Sequence, residues 1–302
     1  MTTESLSHPQ SPSQRQLWLA AIKPPMYSVA AIPISLGTAI AWAETAQIDW
    51  RIFLTFLSAG ILIVAWSNLS NDVFDAETGI DINKPHSLVN LTGNKTLIFR
   101  LSNLCLGLGI CGILMIAWWQ QDVTVLGIIG LCCLLGYVYQ GPPFRWGYQG
   151  WGEILCFLAY GPLTLSAVYY SQTQTWSVTN LAASVILGLT TSVILFCSHF
   201  HQVEDDIAAG KRSPIVRMGT ARGAQLLPML CGAVYGFLVL LWGIHIFPTW
   251  TLLALGSIPS AWKLRRFVAE YHNQPHQVSS CKFIAVAWHF WSGALLTLGF
   301  LI

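Results

Sequence analysis

Apolar residues in this chain fall into long blocks separated by short polar breaks, not into the alternation of a half-buried strand. Nine such blocks stand out, at about 25–43, 52–70, 97–118, 123–141, 153–171, 180–198, 224–246, 249–264 and 281–301. A helix needs about 20 predominantly apolar residues to cross a bilayer, and these blocks meet or approach that length. The block at 249–264 is short and the one at 153–171 contains Pro162, so eight spans is the alternative count. The pattern predicts an all-α, polytopic membrane protein of about nine transmembrane helices. Residues 1–22 form a polar N-terminal segment, and 23–302 a single transmembrane domain. The N-terminal segment lacks the basic-then-apolar-then-small pattern of a cleaved signal, so none is expected.

Charge supports this and orients it. Only 9% of the 302 residues are charged, against about 25% in soluble proteins, and none lies in 154–203 or 223–262. With nine spans and an inner N-terminus, fourteen of the fifteen basic residues fall on one side and only Arg51 on the other. That is the positive-inside bias, and it puts both long loops, 71–96 and 199–223, on the cytoplasmic side. The eight cysteines contain no Cys-x-x-Cys pair, which argues against a zinc ribbon or a disulfide framework. No basic run is long enough to suggest nucleic acid, and the bilayer is the expected partner.

The acidic residues are gathered in those two loops. Seven of the thirteen lie in Asn71-Asp72-Val73-Phe74-Asp75-Ala76-Glu77-Thr78-Gly79-Ile80-Asp81 and in His199-Phe200-His201-Gln202-Val203-Glu204-Asp205-Asp206. If the preceding helix continues, Asp72 and Asp75 share a face, with Asn71 beside them, until Gly79 breaks it before Asp81. Gln202 and Asp206 have the same four-residue relation. The two loops also echo each other faintly. Lys84 precedes Ser87-Leu88-Val89-Asn90-Leu91 and Gly93, and Lys211 precedes Ser213-Pro214-Ile215-Val216-Arg217-Met218-Gly219. Four spans lie between the loops, as a duplicated unit would give. A Gly- and Pro-broken aromatic turn fills 139–153.

Hard oxygen donors of this kind suit Mg²⁺, which takes one or two carboxylates together with water and substrate phosphate. Asp72, Asp75, Asp81, Glu204, Asp205 and Asp206 are the candidate metal ligands. Lys84, Lys211, Arg212, Arg217 and Arg145 flank them, and carboxylate, metal, phosphate and cation together would stabilise a departing diphosphate. His199 and His201 are ligands or hydrogen-bonded helix-end residues. Glu153 either complements a helix N-terminus or belongs to the site.

Asn71-Asp72-x-x-Asp75 with Asp81, and a second acidic loop four helices on, resemble the UbiA superfamily of intramembrane prenyltransferases over essentially the whole chain after residue 20. Gly79-Ile80-Asp81, Gly141-Pro142-Pro143, Tyr148-x-Gly150-x-Gly152-Glu153, and Gly210-Lys211 through Val216-Arg217-Met218-Gly219 are similar to its dihydroxynaphthoate branch, in the cyanobacterial and plastid form. The resemblance implies helices around a central apolar chamber that opens to lipid and is capped by the acidic loops. It implies Mg²⁺-dependent transfer of a phytyl or other prenyl group from its diphosphate to 1,4-dihydroxy-2-naphthoate, with loss of CO₂. It makes Asp72, Asp75, Lys211, Arg145 and Tyr139 catalytic, and Asn68, Asn71, Lys84, Gln202, Arg212 and Arg217 substrate-binding. Three positions depart from the superfamily pattern. Gly79 stands where its last Asp of the first motif falls, and Gln202 replaces the first Asp of the second. Pro143 stands where a Tyr-x-x-x-Lys motif has Lys, which leaves Arg145 as the substitute. Other donors (menaquinone-type chains) and other acceptors (homogentisate, chlorophyllide) remain open. A cation transporter is disfavoured because transport carboxylates lie near the bilayer midplane.

Overall fold

The computed structural model of the chain describes residues 14–80 and 87–302. Those residues form helices and connections, with no strand among them. The first half runs through α1 (Gln14–Ile22), α2 (Ser28–Thr45), α3 (Trp50–Thr78), α4 (Leu88–Thr92), α5 (Lys95–Gln120) and α6 (Thr124–Gln140). Next come α7 (Gly152–Leu158), a π turn over Ala159–Leu163, α8 (Thr164–Thr173) and α9 (Val178–Ser198). Two short helices follow, α10 (Val203–Ala208) and α11 (Pro214–Met218), and then α12 (Thr220–Gly243). A 3-10 segment over Thr249–Ser257 leads into α13 (Ile258–Tyr271), and α14 (Pro275–Val278) and α15 (Cys281–Leu301) close the chain.

Among the described residues seven helical stretches are long and apolar enough to cross a membrane. The other two apolar blocks differ in form: α6 has 17 residues, and the block at 249–264 straddles the 3-10 segment and the start of α13. Pro162 does not divide the fifth block. The π turn absorbs the missing proline N–H, as such turns do inside longer helices, and Gly152–Thr173 remains one span. The expected polar segment 1–22 is partly built into the domain, since α1 packs Ala21 against Val73, Leu88 and Ile98.

Lipid-facing helices gain nothing hydrophobic by meeting one another, so close approach of small residues has to hold the bundle. A β-carbon on Gly109 would lie 3.1 Å from the Ala59 carbonyl oxygen, and one on Gly161 only 2.6 Å from that of Ser184. These contacts join α5 to α3 and the π turn to α9. At one end of the bundle polar caps tie the connections together. Asp49 caps α3 through the Arg51 and Ile52 amides, and its own N–H donates to Gln172 at 2.9 Å. The opposite end carries the acidic loops. There α3, 29 residues long and hence about 43 Å, outruns the roughly 30 Å hydrocarbon core. Its final turns, from Asn71 to the left-handed Gly79 (φ 77°), thus stand clear as the site's platform.

Candidate active site

One stripe of α3 lines a chamber of about 480 Å³, within the roughly 300–1,000 Å³ of small-molecule sites: Phe56, Gly60, Ile63, Ser67, Asn68, Asn71 and Asp75. The i, i+3, i+4 spacing runs from an apolar floor to a polar mouth over 19 residues, about 28 Å. The facing walls come from α2, α6, α9 and the π turn, with Ile34, Leu135, Ala159, Tyr160 and Ile194 among the apolar contacts. Lys23, Tyr139, His201, Gln202, Lys211 and Lys282 join Asn71 and Asp75 among the polar lining. Lys23 and Lys282 enter the sequence reading only as members of the one-sided basic set. Their positions at the ends of the first and last spans were the available signal.

Of the expected site residues, the chamber brings together Asn68, Asn71, Asp75, Tyr139, Gln202 and Lys211. Asp75 is held from two sides: Asn71 donates to one carboxylate oxygen, and the Tyr148 hydroxyl to the other at 2.8 Å. Tyr148 also lies 2.8 Å from the Thr78 hydroxyl, and its ring faces the Lys211 ammonium at 5.6 Å. Burial first, and the Asp75 charge second, push the Tyr148 phenol well above its ordinary range, so it stays a donor. The side chain of Asn68 brings a buried amide nitrogen with no hydrogen-bond partner among the described residues.

Asp72 lies one strip round the helix from Asp75 and does not line the chamber. It is 1% exposed, accepts from the Leu88 N–H at 2.9 Å and pairs with Lys23 at 3.5 Å. In the second loop the expected Gln202–Asp206 face is divided. A 3-10 turn over His199–His201 ends at Gln202, which has φ −112° and precedes α10. Gln202 therefore lines the chamber while Asp206, fully buried, turns to Lys211 and His199, each at 3.2 Å. Burial alone would raise the Asp206 pKa, but the His199 contact and the Lys211 charge outweigh it and hold the carboxyl below its ordinary value. Glu204 is exposed and Asp205 half-buried, and neither lines the chamber.

The remaining cations brace the turn at 141–151. Arg145 pairs with Glu77 at 3.6 Å. Arg217 donates to the Gln149 carbonyl, and the Arg212 amide donates to that of Tyr148 at 2.7 Å. Gly150 is required here: φ is +88°, and a β-carbon would sit 2.6 Å from the Arg212 carbonyl oxygen. This bracing fixes Tyr148 over Asp75. Asp81 and Lys84 lie outside the described residues. Among those described, no three His, Cys, Asp or Glu side chains form a metal cage. The oxygen donors Asn71, Asp75 and Gln202 at the mouth do fit a hard cation that completes its shell with water and phosphate.

A polar, cation-rich mouth over an apolar chamber inside a helical bundle defines an integral membrane protein with a binding site for an amphiphile carrying an anionic head. Residues 30–293 match the UbiA prenyltransferase family, and the chain belongs to it. It is 53% identical to the 2-carboxy-1,4-naphthoquinone phytyltransferase of Synechocystis sp., over 99% of this chain and 98% of that one. It is 39% identical to the chloroplastic 2-carboxy-1,4-naphthoquinone phytyltransferase of Arabidopsis thaliana, over 96% and 78%. Among solved structures, a UbiA homolog from Archaeoglobus fulgidus superposes with TM-score 0.65 at 16% identity, covering 93% of this chain and 99% of that one.

Proposed function

We propose that the protein transfers a phytyl group from its diphosphate to 1,4-dihydroxy-2-naphthoate, releasing CO₂ and forming the demethyl precursor of phylloquinone. The chamber carries this reading: an apolar trough of about 480 Å³ leads to a mouth lined by Asn71, Asp75, Gln202, Lys23, Lys211 and Lys282. A long isoprenoid tail fits the trough and a diphosphate fits the mouth. The two relatives named above are phytyltransferases, whereas octaprenyltransferases acting on 1,4-dihydroxy-2-naphthoate match at only 28% and 22% identity.

In this reading the allylic C–O bond breaks and diphosphate leaves toward the lysines. The electron-rich naphthalene ring supplies the electron pair for the new C–C bond at the carbon bearing the carboxylate, which departs as CO₂. Capture of a cation demands that electron-rich ring, which favours the dihydroxy form of the acceptor over the quinone. Mg²⁺, held through Asp75 with Asn71 and Gln202 and with Asp72, Asp81, Glu204 and Asp205 as further candidates, would neutralise charge on the diphosphate. Lys211 does the same from the protein side. Tyr139 and Tyr160 present aromatic surface to the cation, and the apolar walls keep water from quenching it. The basic-residue partition supports a mouth on the cytoplasmic face.

Purified protein supplied with Mg²⁺, dihydroxynaphthoate and phytyl, geranylgeranyl or longer diphosphates tests this directly. Phytyl transfer with CO₂ release, abolished by EDTA and restored by Mg²⁺, is the expected result. Product from homogentisate or chlorophyllide but not from the naphthoate would overturn it.

A further inference from the structure

We propose that Glu153, His199 and Asp206 form a buried charge relay that holds the Lys211 ammonium at the chamber mouth, with His199 as the positioning residue. The proposal rests on the reading of Lys211 as a contact to the diphosphate.

Three elements converge to build the relay. Glu153 opens α7, His199 ends α9 and Asp206 lies on α10. The Glu153 Oε1 to His199 Nε2 distance is 3.4 Å, His199 Nδ1 to Asp206 Oδ2 is 3.2 Å, and Asp206 Oδ1 to Lys211 Nζ is 3.2 Å. The imidazole thus faces a carboxylate from each ring nitrogen, an arrangement that calls for a donor on both. Along the relay carboxylate, imidazole, carboxylate and ammonium follow one another in contact.

The buried placement is expensive unless every member is paired. Asp206 is fully buried, His199 is 2% exposed and Lys211 9%. Both Glu153 oxygens, both Asp206 oxygens and His199 Nδ1 are sealed from solvent and make no regular hydrogen bond among the described residues, so the close charge contacts along the relay are their compensation. A carboxylate in the first turn of α7 is favourable by itself, but that does not account for a buried histidine aimed at it, nor for Asp206 behind the histidine.

Lysine's need explains the construction. Its ammonium rides a flexible stem with three rotatable donors, and nothing in the side chain itself sets a direction. Here the Lys211 N–H also donates to the Asp206 carbonyl at 2.7 Å, directly after the positive-φ Gly210 (φ 71°). Main chain and side chain of Lys211 are thus both anchored to Asp206, and His199 and Glu153 anchor Asp206 in turn. The exposed face of the ammonium is left to the chamber, beside the Tyr148 ring.

A double-mutant cycle in the full-length protein tests this. Half-saturation for the prenyl diphosphate, inhibition by inorganic diphosphate and half-saturation for the naphthoate are measured for His199→Ala, Lys211→Ala and the double variant. His199→Ala should weaken both diphosphate readouts roughly tenfold, the scale of one charged hydrogen bond, and leave the naphthoate value unchanged. The double variant should be no worse than Lys211→Ala alone, because the relay acts only through that lysine. Losses that multiply, or a naphthoate value that rises in parallel, would refute the relay. Should His199→Ala not extract folded, the near-isosteric Glu153→Gln is read by the same cycle. If Lys211→Ala itself leaves diphosphate binding intact, the assignment of Lys211 to the diphosphate fails, whereas a harmless His199→Ala beside a damaging Lys211→Ala removes the relay alone.

Discussion

Removing one oxygen, by Tyr148→Phe, tests how firmly Asp75 must be held. The hydroxyl donates to Asp75 at 2.8 Å and touches Thr78 at 2.8 Å. Thr78 keeps its bond to the Asp75 carbonyl at 3.0 Å, so only the carboxylate loses a partner. A hydrogen bond to a charged group contributes about 1.5–3 kcal/mol, and about 1.4 kcal/mol is tenfold in rate. If Asp75 needs that orientation during transfer, kcat/KM for the prenyl diphosphate should fall roughly ten- to hundredfold. The ring facing Lys211 survives in Phe, so Tyr148→Leu, which also loses the cation–π contact, should fall about two- to fivefold further. Because burial and the Asp75 charge raise the Tyr148 pKa, the hydroxyl keeps its proton up to at least pH ~9. The ratio of parent to Phe variant should therefore stay constant between pH 6 and 9, as measured by initial rates in detergent. A Phe variant within twofold of the parent would refute the argument that the turn at 141–151 exists to hold Asp75.

Asp75→Ala and Asp72→Ala should both abolish turnover, but only Asp72→Ala should lower the melting temperature markedly, since it removes the buried acceptor of the Leu88 amide and the carboxylate facing Lys23. Thermal melts of the two variants separate these effects. The Asp206 carboxyl is depressed in the folded protein, so its stabilisation is complete above the ordinary carboxylate value near 4 and fades as pH falls through the folded value. Melting temperature should hold from pH 8 to 5 and drop in more acidic buffer, and Asp206→Asn should lower the plateau and flatten that drop. A β-carbon at Gly161 meets the Ser184 carbonyl oxygen at 2.6 Å, while one at Gly107 meets nothing within 4 Å. Gly161→Ala should thus cost about 1–3 kcal/mol and Gly107→Ala cost nothing, as read from thermal inactivation.

Hydrophobic blocks made the helical membrane fold legible, because length and apolarity alone decide whether a segment can span a bilayer. They could not distinguish a long straight span from α6 or from the 3-10 and α-helical pair at 249–271, where packing sets the helix type. In the site, regular helical spacing along α3 puts Asn71 and Asp75 on the chamber stripe with Asn68, but Asp72, three residues before Asp75, falls one strip round the helix and out of the chamber. Spacing failed at 199–206 because a turn of tighter helix interrupts the period and sends Gln202 and Asp206 in different directions. Glu153, His199 and Tyr148 were beyond spacing altogether. Their partners are 46 to 73 residues away, as for His199 with Glu153 and Tyr148 with Asp75, and only the tertiary fold makes them neighbours.

The weak sequence echo between the two loops gains a structural meaning. Ser87 and Ser213 are both fully buried, and each stands immediately before a five-residue helix that ends at a positive-φ glycine, Gly93 or Gly219. Long helices, α5 and α12, follow in both. The two copies nevertheless satisfy their backbone differently. The Ser213 hydroxyl accepts from the Val216 amide, whereas Ser87 makes no such cap bond and the Leu88 amide instead takes Asp72 as its acceptor. Asp72 thereby ties α4 to α3, with Lys23 paired to it. In the second copy Ser213 caps its own helix and also lies against Asp206, whose carboxylate meets Lys211 and His199 as well. Two acids that look equivalent in the sequence thus stand in different surroundings: Asp72 ties a loop to the bundle, whereas Asp206 faces the Lys211 ammonium and His199.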